Sequence, residues 1–119
     1  MSRLRIIIAA GVAALVAAAG SSAATPKLVA KVGPDSSFTI RLTKGGKKVT
    51  KLKAGKYKIA VSDTASTHNF HLFGPGLNKK TSVSGKASTT WTVTLKKGKY
   101  TFQCDPHALA GMKGTFIVG

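Results

Sequence analysis

Cys104, His107 and Met112 follow one another at the spacing C-x2-H-x4-M, inside the stretch Tyr100 to Gly114. Cys104 is the only cysteine, and Met112 is the only methionine besides Met1. A thiolate, an imidazole and a thioether are the soft and borderline donors that suit copper. Three such donors on one short loop can turn toward a single ion. A fourth has to come from elsewhere, and Thr67-His68-Asn69-Phe70-His71 holds the two remaining histidines. Two imidazoles and a thiolate in a trigonal plane, with a weak axial thioether, make an electron-transfer copper site.

Taken singly, each donor has a plainer reading. A lone cysteine is most often a small buried apolar residue, and methionine commonly fills gaps in a core. The three together, between one strand and the next, carry the signal. Cys104 shares the face of Tyr100 and Phe102 in an alternating run, so its side chain points inward. Pro106 stiffens the loop that carries His107. His68 and His71 are three apart and face opposite ways on a strand. His68 is taken as the ligand and His71 as a surface histidine or one at the mouth of the site. Asn69 is positioned to pin the loop that carries Cys104.

The elements that must hold these donors read as strands. Lys27 to Val32 is a first strand, stopped by Gly33-Pro34-Asp35. Phe38, Ile40 and Leu42 alternate with polar residues, as in a half-buried strand. Val49 and Leu52 fit a short strand. Tyr57-Ile59-Val61, Trp91-Val93-Leu95 and Tyr100-Phe102-Cys104 alternate in the same way, and Thr115 to Val118 closes the chain. No later segment has sustained helical periodicity. Short strands divided by Gly-, Pro- and Lys-rich turns predict an all-β, antiparallel sandwich or barrel. The pattern L-K-x-G-K-Y occurs twice, at Leu52–Tyr57 and Leu95–Tyr100, each time at the start of a strand. A tyrosine there can bury its ring and return its hydroxyl to the backbone, the corner device of such sandwiches.

The N-terminus has another character. Arg3 and Arg5 precede an apolar run from Ile6 to Ala19, and small residues follow, with Ser22 and Ala24 at the positions a signal peptidase reads. This predicts a signal peptide over residues 1–24 and a mature domain over 25–119. A retained membrane anchor is the other reading of that run. The expected location is periplasmic or extracellular, at the cell surface. In an oxidising space an idle thiol is a liability, and ligation removes it.

The 119-residue chain has 19 Lys and Arg against three Asp, a formal charge of +16. Such a field favours anionic partners. The lysines lie in turns such as Lys44–Lys48 and Lys96–Lys99, without interleaved aromatics or a basic helix, which argues against nucleic acid. The expected partner is an acidic redox protein or an anionic envelope surface, met by a monomer with no stable membrane insertion once the signal is cleaved.

The motif Tyr100-x-Phe102-x-Cys104-x-Pro106-His107-x4-Met112-x-Gly114, with His68-Asn69 upstream, resembles the cupredoxin family in its plastocyanin and pseudoazurin branch. The resemblance implies an all-β Greek-key β-sandwich, one type 1 copper held by His68, Cys104, His107 and an axial Met112, and a soluble one-electron carrier cycling between Cu(I) and Cu(II). A copper-binding or copper-delivery protein with the same site is the alternative. An enzyme is not expected. Cysteine-protease chemistry gives Met112 no part, structural zinc sites use more Cys or His and no thioether, and three histidines cannot furnish the extra centres of copper oxidases.

Overall fold

The computed structural model describes residues 24–33 and 37–119; the expected signal segment lies, but for Ala24, outside the described residues. Among the described residues, ten strands form two five-stranded sheets. They are β1 (Lys27–Val32), β2 (Ile40–Lys44), β3 (Lys47–Lys48), β4 (Lys51–Leu52), β5 (Gly55–Asp63), β6 (His71–Gly74), β7 (Leu77–Lys80), β8 (Ala87–Leu95), β9 (Gly98–Gln103) and β10 (Lys113–Val118). One sheet has the order β3-β2-β1-β5-β8 and the other β4-β10-β9-β6-β7. The expected β-sandwich is present, and each sheet is mixed: β1 runs parallel to β5, and β4 parallel to β10.

Alternation explains the layering. Leu28, Ala30 and Val32 of β1, Tyr57, Ile59 and Val61 of β5, and Tyr100 and Phe102 of β9 are buried, while most of their neighbours on these strands are not. Aromatic rings bridge the interior, with Tyr100 stacked on Phe116 at 5.4 Å and Phe70 on Phe102 at 5.9 Å. Two strand glycines make room for rings. A Cβ on Gly74 would lie 2.3 Å from the Tyr100 ring, and one on Gly114 would lie 2.4 Å from Phe102.

Both repeats behave as corners. The Tyr57 hydroxyl donates to the Lys53 carbonyl at 2.7 Å. The Tyr100 hydroxyl accepts from the Lys96 amide at 2.9 Å and donates to the Pro75 carbonyl at 2.8 Å. In each case one bonded partner, Lys53 or Lys96, lies four residues upstream of the tyrosine, which fixes the turn before the strand.

The expected half-buried strand does not reach Phe38: β2 begins at Ile40, and Phe38 is 56% exposed. The hairpin β6–β7 was not anticipated. Pro75-Gly76 turns it, with Gly76 in the left-handed region at φ 68°.

The register defines two poles. Val32 pairs with Asp63 and Lys113 with Gln103 at one end; Gly55 pairs with Leu95 and Gly98 with Val118 at the other. The segments that carry the candidate donors all leave the sheets at the first end.

Candidate metal centre

Strand β9 ends at Gln103 and delivers Cys104 fully buried. A 3-10 turn over Asp105–Ala110 follows, with Pro106 in its first positions, where its missing N–H costs nothing. Gly111 stops the turn at φ 95° and returns its amide to the Ala108 carbonyl. The chain then folds back on itself. The Cys104 amide donates to the Met112 carbonyl at 3.1 Å, and the Met112 amide to the His107 carbonyl at 3.2 Å. Met112 is buried, 2% exposed. The C-x2-H-x4-M spacing is thus the length of one closed loop.

His68 comes from the connection between β5 and β6, in the irregular run before His71 opens β6. It is completely buried. Its Nδ1 faces His107 Nδ1 at 3.0 Å, and Cys104 Sγ lies 3.6 Å from the first and 3.4 Å from the second. Among the described residues, His68, Cys104 and His107 are the one group whose donor atoms converge in this way.

The tautomer of His68 follows from its other nitrogen. Nε2 lies 3.0 Å from the Ser37 carbonyl, which can only accept, so Nε2 carries the hydrogen. In the neutral ring Nδ1 then has a free lone pair aimed into the cluster, the arrangement by which a backbone partner orients a metal-binding imidazole. A triangle with sides of 3.0, 3.4 and 3.6 Å has a point about 2 Å from each corner, the length of a metal–imidazole bond. These donors fit a soft or borderline ion in both type and spacing.

A polar lock holds the two segments together. Asn69 Oδ1 accepts from the Asp105 amide at 2.7 Å, and its Nδ2 donates to Asp105 Oδ2 at 3.0 Å and to the Thr81 carbonyl at 3.3 Å. The anticipated pinning of the Cys104 loop by Asn69 is therefore present. The sequence reading passed over Asp105, which is the hub of this lock. Its Oδ1 also receives Gln103 Nε2 at 2.9 Å and lies 2.8 Å from His71 Nδ1. Partial burial pushes the Asp105 carboxyl up, but the hydrogen bonds from Gln103, His71 and Asn69 outweigh it and hold the group at about 2. His71 lies outside the donor triangle, half-buried, with Nε2 2.6 Å from Asn78 Oδ1.

His107 is the donor of the three that reaches the surface. Phe38 lies against it, with ring centroids 4.1 Å apart, and meets His68 edge-on at 5.4 Å. Beside His107, Leu109 is fully exposed.

Residues 24–119 match the family model described as copper binding proteins, plastocyanin/azurin family. The chain belongs to that family. No curated protein sequence matches it. Solved structures share the fold of this plastocyanin/azurin-family chain. Rusticyanin from Thiobacillus ferrooxidans is 22% identical with a TM-score of 0.58, over 82% of this chain and 79% of that one. Auracyanin B is 20% identical with a TM-score of 0.51, over 82% and 93%. A Sinorhizobium pseudoazurin is 22% identical with a TM-score of 0.50, over 78% and 73%. His68, Cys104, His107 and Met112 form the type 1 copper pattern of the family. Among the described residues, no helix is long and apolar enough to cross a membrane.

Proposed function

We propose that this chain is an exported, soluble one-electron carrier, in which His68, Cys104, His107 and Met112 would hold one copper. The observation that carries this reading is the triangle of Nδ1, Nδ1 and Sγ, drawn from two segments and built into a locked frame. Bound copper supplies the chemistry, a single-electron change between Cu(I) and Cu(II).

The residues of the chain supply rigidity and access. The Ser37 carbonyl fixes the His68 ring. Asn69 and Asp105 tie the His68 segment to the Cys104 loop, so the donors need not rearrange when the charge changes. Phe38 keeps water from one side of the two rings. His107 offers the exposed edge, and Leu109 and Ala110 beside it give a small apolar contact suited to a short-lived complex. Lys79, Lys80 and Lys113, at the same pole, steer an acidic redox partner toward that edge.

The test is to add Cu(II) to residues 25–119 and look for an intense thiolate-to-copper visible band. It should be present in the wild type and absent in Cys104→Ser. A metal-bound but colourless protein sinks the proposal. Electron self-exchange separates the carrier from a copper-delivery protein. A carrier exchanges electrons fast and keeps its metal, whereas a delivery protein yields copper to an acceptor.

A further inference from the structure

Lysines crowd the pole opposite the candidate metal centre. Lys44, Lys47, Lys48, Lys51, Lys53 and Lys56 line one open concavity there, formed by the β2–β3 turn, β4 and the start of β5. All six are exposed. Lys96 and Lys97 add to them from the β8–β9 turn, since Leu95 pairs with Gly55. The two described acids, Asp63 and Asp105, both lie at the metal pole. Among the described residues, that end therefore carries lysines and no acidic side chain.

These lysines have no part in docking at His107. The nine residues of β5 separate the poles by about 30 Å. At physiological salt a surface charge is largely screened beyond about 8 Å. The cationic pole calls for an anionic partner of its own.

Two observations select the kind of partner. The charges are lysines spread over separate turns, point charges without the rigid fork that arginine offers to a nucleic-acid backbone. No aromatic side chain is exposed among them for base stacking, and Ile117 is the one large apolar side chain exposed near this end. The centre of a protein interface needs aromatic or apolar anchors; a layer of anionic headgroups needs only charge.

We infer that the lysine pole docks on an anionic phospholipid bilayer and holds the metal pole outward, toward the aqueous phase. The inference rests on charge and sidedness and is independent of the electron-carrier reading.

The test uses residues 25–119, because among the described residues every strand pairing and every buried core residue lies between Lys27 and Val118. A cooperative thermal transition checks that each variant is folded. Sedimentation with vesicles of phosphatidylglycerol and phosphatidylcholine, at low ionic strength, reads binding without needing copper. The wild type should sediment with these vesicles, stay in solution with pure phosphatidylcholine, and be released by high salt. A lysine near an anionic surface is worth about fivefold in binding. Replacing Lys47, Lys48, Lys51 and Lys53 by Gln should then weaken binding at least tenfold, with about 600-fold as the additive limit. Replacing Lys31, Lys79, Lys80 and Lys113 of the metal pole by Gln should change it by less than about threefold. Inorganic phosphate at matched ionic strength should compete no better than chloride. Equal losses in the two variants would mean generic charge attraction and overturn the proposal. So would failure to bind anionic vesicles, or displacement by phosphate. An orientation readout completes the test: reduction of the loaded protein by a small soluble reductant should proceed at the same rate on and off the vesicles. Slowing on the vesicles would place the metal pole against the lipid and refute the sidedness.

Discussion

Phe38 has its ring against both candidate imidazoles while more than half of its surface faces solvent. So placed, it serves the site and contributes little to the core. A wetter site favours the more highly charged Cu(II). Phe38→Ala should therefore lower the midpoint potential by some tens of millivolts, on the order of ~50 mV, through the hydrophobic shell. Thermal stability should fall by less than about 1 kcal/mol, because little apolar area is lost from the core. Voltammetry and a melting curve on the same sample check both halves. At this scale the sequence was most legible where donor chemistry is rare. A single cysteine, three histidines and one internal methionine leave few combinations, and the convergence of His68, Cys104 and His107 follows from them. Phe38 was misread because its alternation with Ile40 and Leu42 continues past the point where pairing with β1 ends, at Val32 and Ile40. Periodicity does not show where a ladder stops. Asp105 was passed over because its importance depends on Asn69, Gln103 and His71 meeting there, and no local pattern encodes that meeting.

The Asp105 lock joins two loops, and its pH behaviour belongs to the element scale. The carboxyl titrates at about 2 in the folded chain, below its ordinary value of 3.8. A depressed carboxylate contributes stability above its unfolded pKa and loses it as pH falls through the folded one. The contribution is complete above about pH 4 and is lost between there and about pH 2. In Asp105→Asn this part of the acid sensitivity should vanish, and neutral-pH stability should drop by about 1 kcal/mol, since several hydrogen bonds to a charged acceptor weaken. Urea titrations across that range decide it. Asp63 works in the opposite sense. Its burial pushes the carboxyl up, against the pull of the Ala65 amide, His68 and Thr81, so acidification through its raised pKa relieves a buried charge. Strand packing gives a second prediction. A methyl at Gly74 would run into the Tyr100 ring, whose hydroxyl is fixed at both Lys96 and Pro75 and cannot swing aside. Gly74→Ala should cost about 2 to 3 kcal/mol, read as a lower unfolding midpoint. Most strands were legible from alternation, and both tyrosine corners from the repeated motif. The β6–β7 hairpin was not, because Phe70-His71-Leu72-Phe73 lacks alternation and Leu77–Lys80 is mostly exposed. The Pro75-Gly76 pair was the available signal.

For the whole molecule, the donors come from two segments that only the folded sandwich brings together. An ion bound there binds the native state alone and stabilises it by mass action. At a thousandfold excess over its dissociation constant, copper should add about 4 kcal/mol. Removing copper with a chelator should therefore lower the melting temperature by roughly 15 to 30 °C for a domain of this size. Calorimetry of loaded and stripped protein checks this, and an unchanged transition would mean that the site is not prebuilt. The β-sandwich and its family were legible because strand alternation, the repeated corner motif and the donor motif agree. The partition of charge was not. Lys79–Lys80 and Lys96–Lys97 look equivalent as runs in the sequence, yet strand register sends them to opposite ends.

That separation bears on how the protein can be wired to an electrode. A carboxylate-coated surface would seize the molecule by its lysine end and leave His107 about 30 Å from the conductor, so the current should be sluggish. An uncharged alkyl coating, which offers Leu109 an apolar seat, should instead present the copper edge to the metal and pass electrons readily.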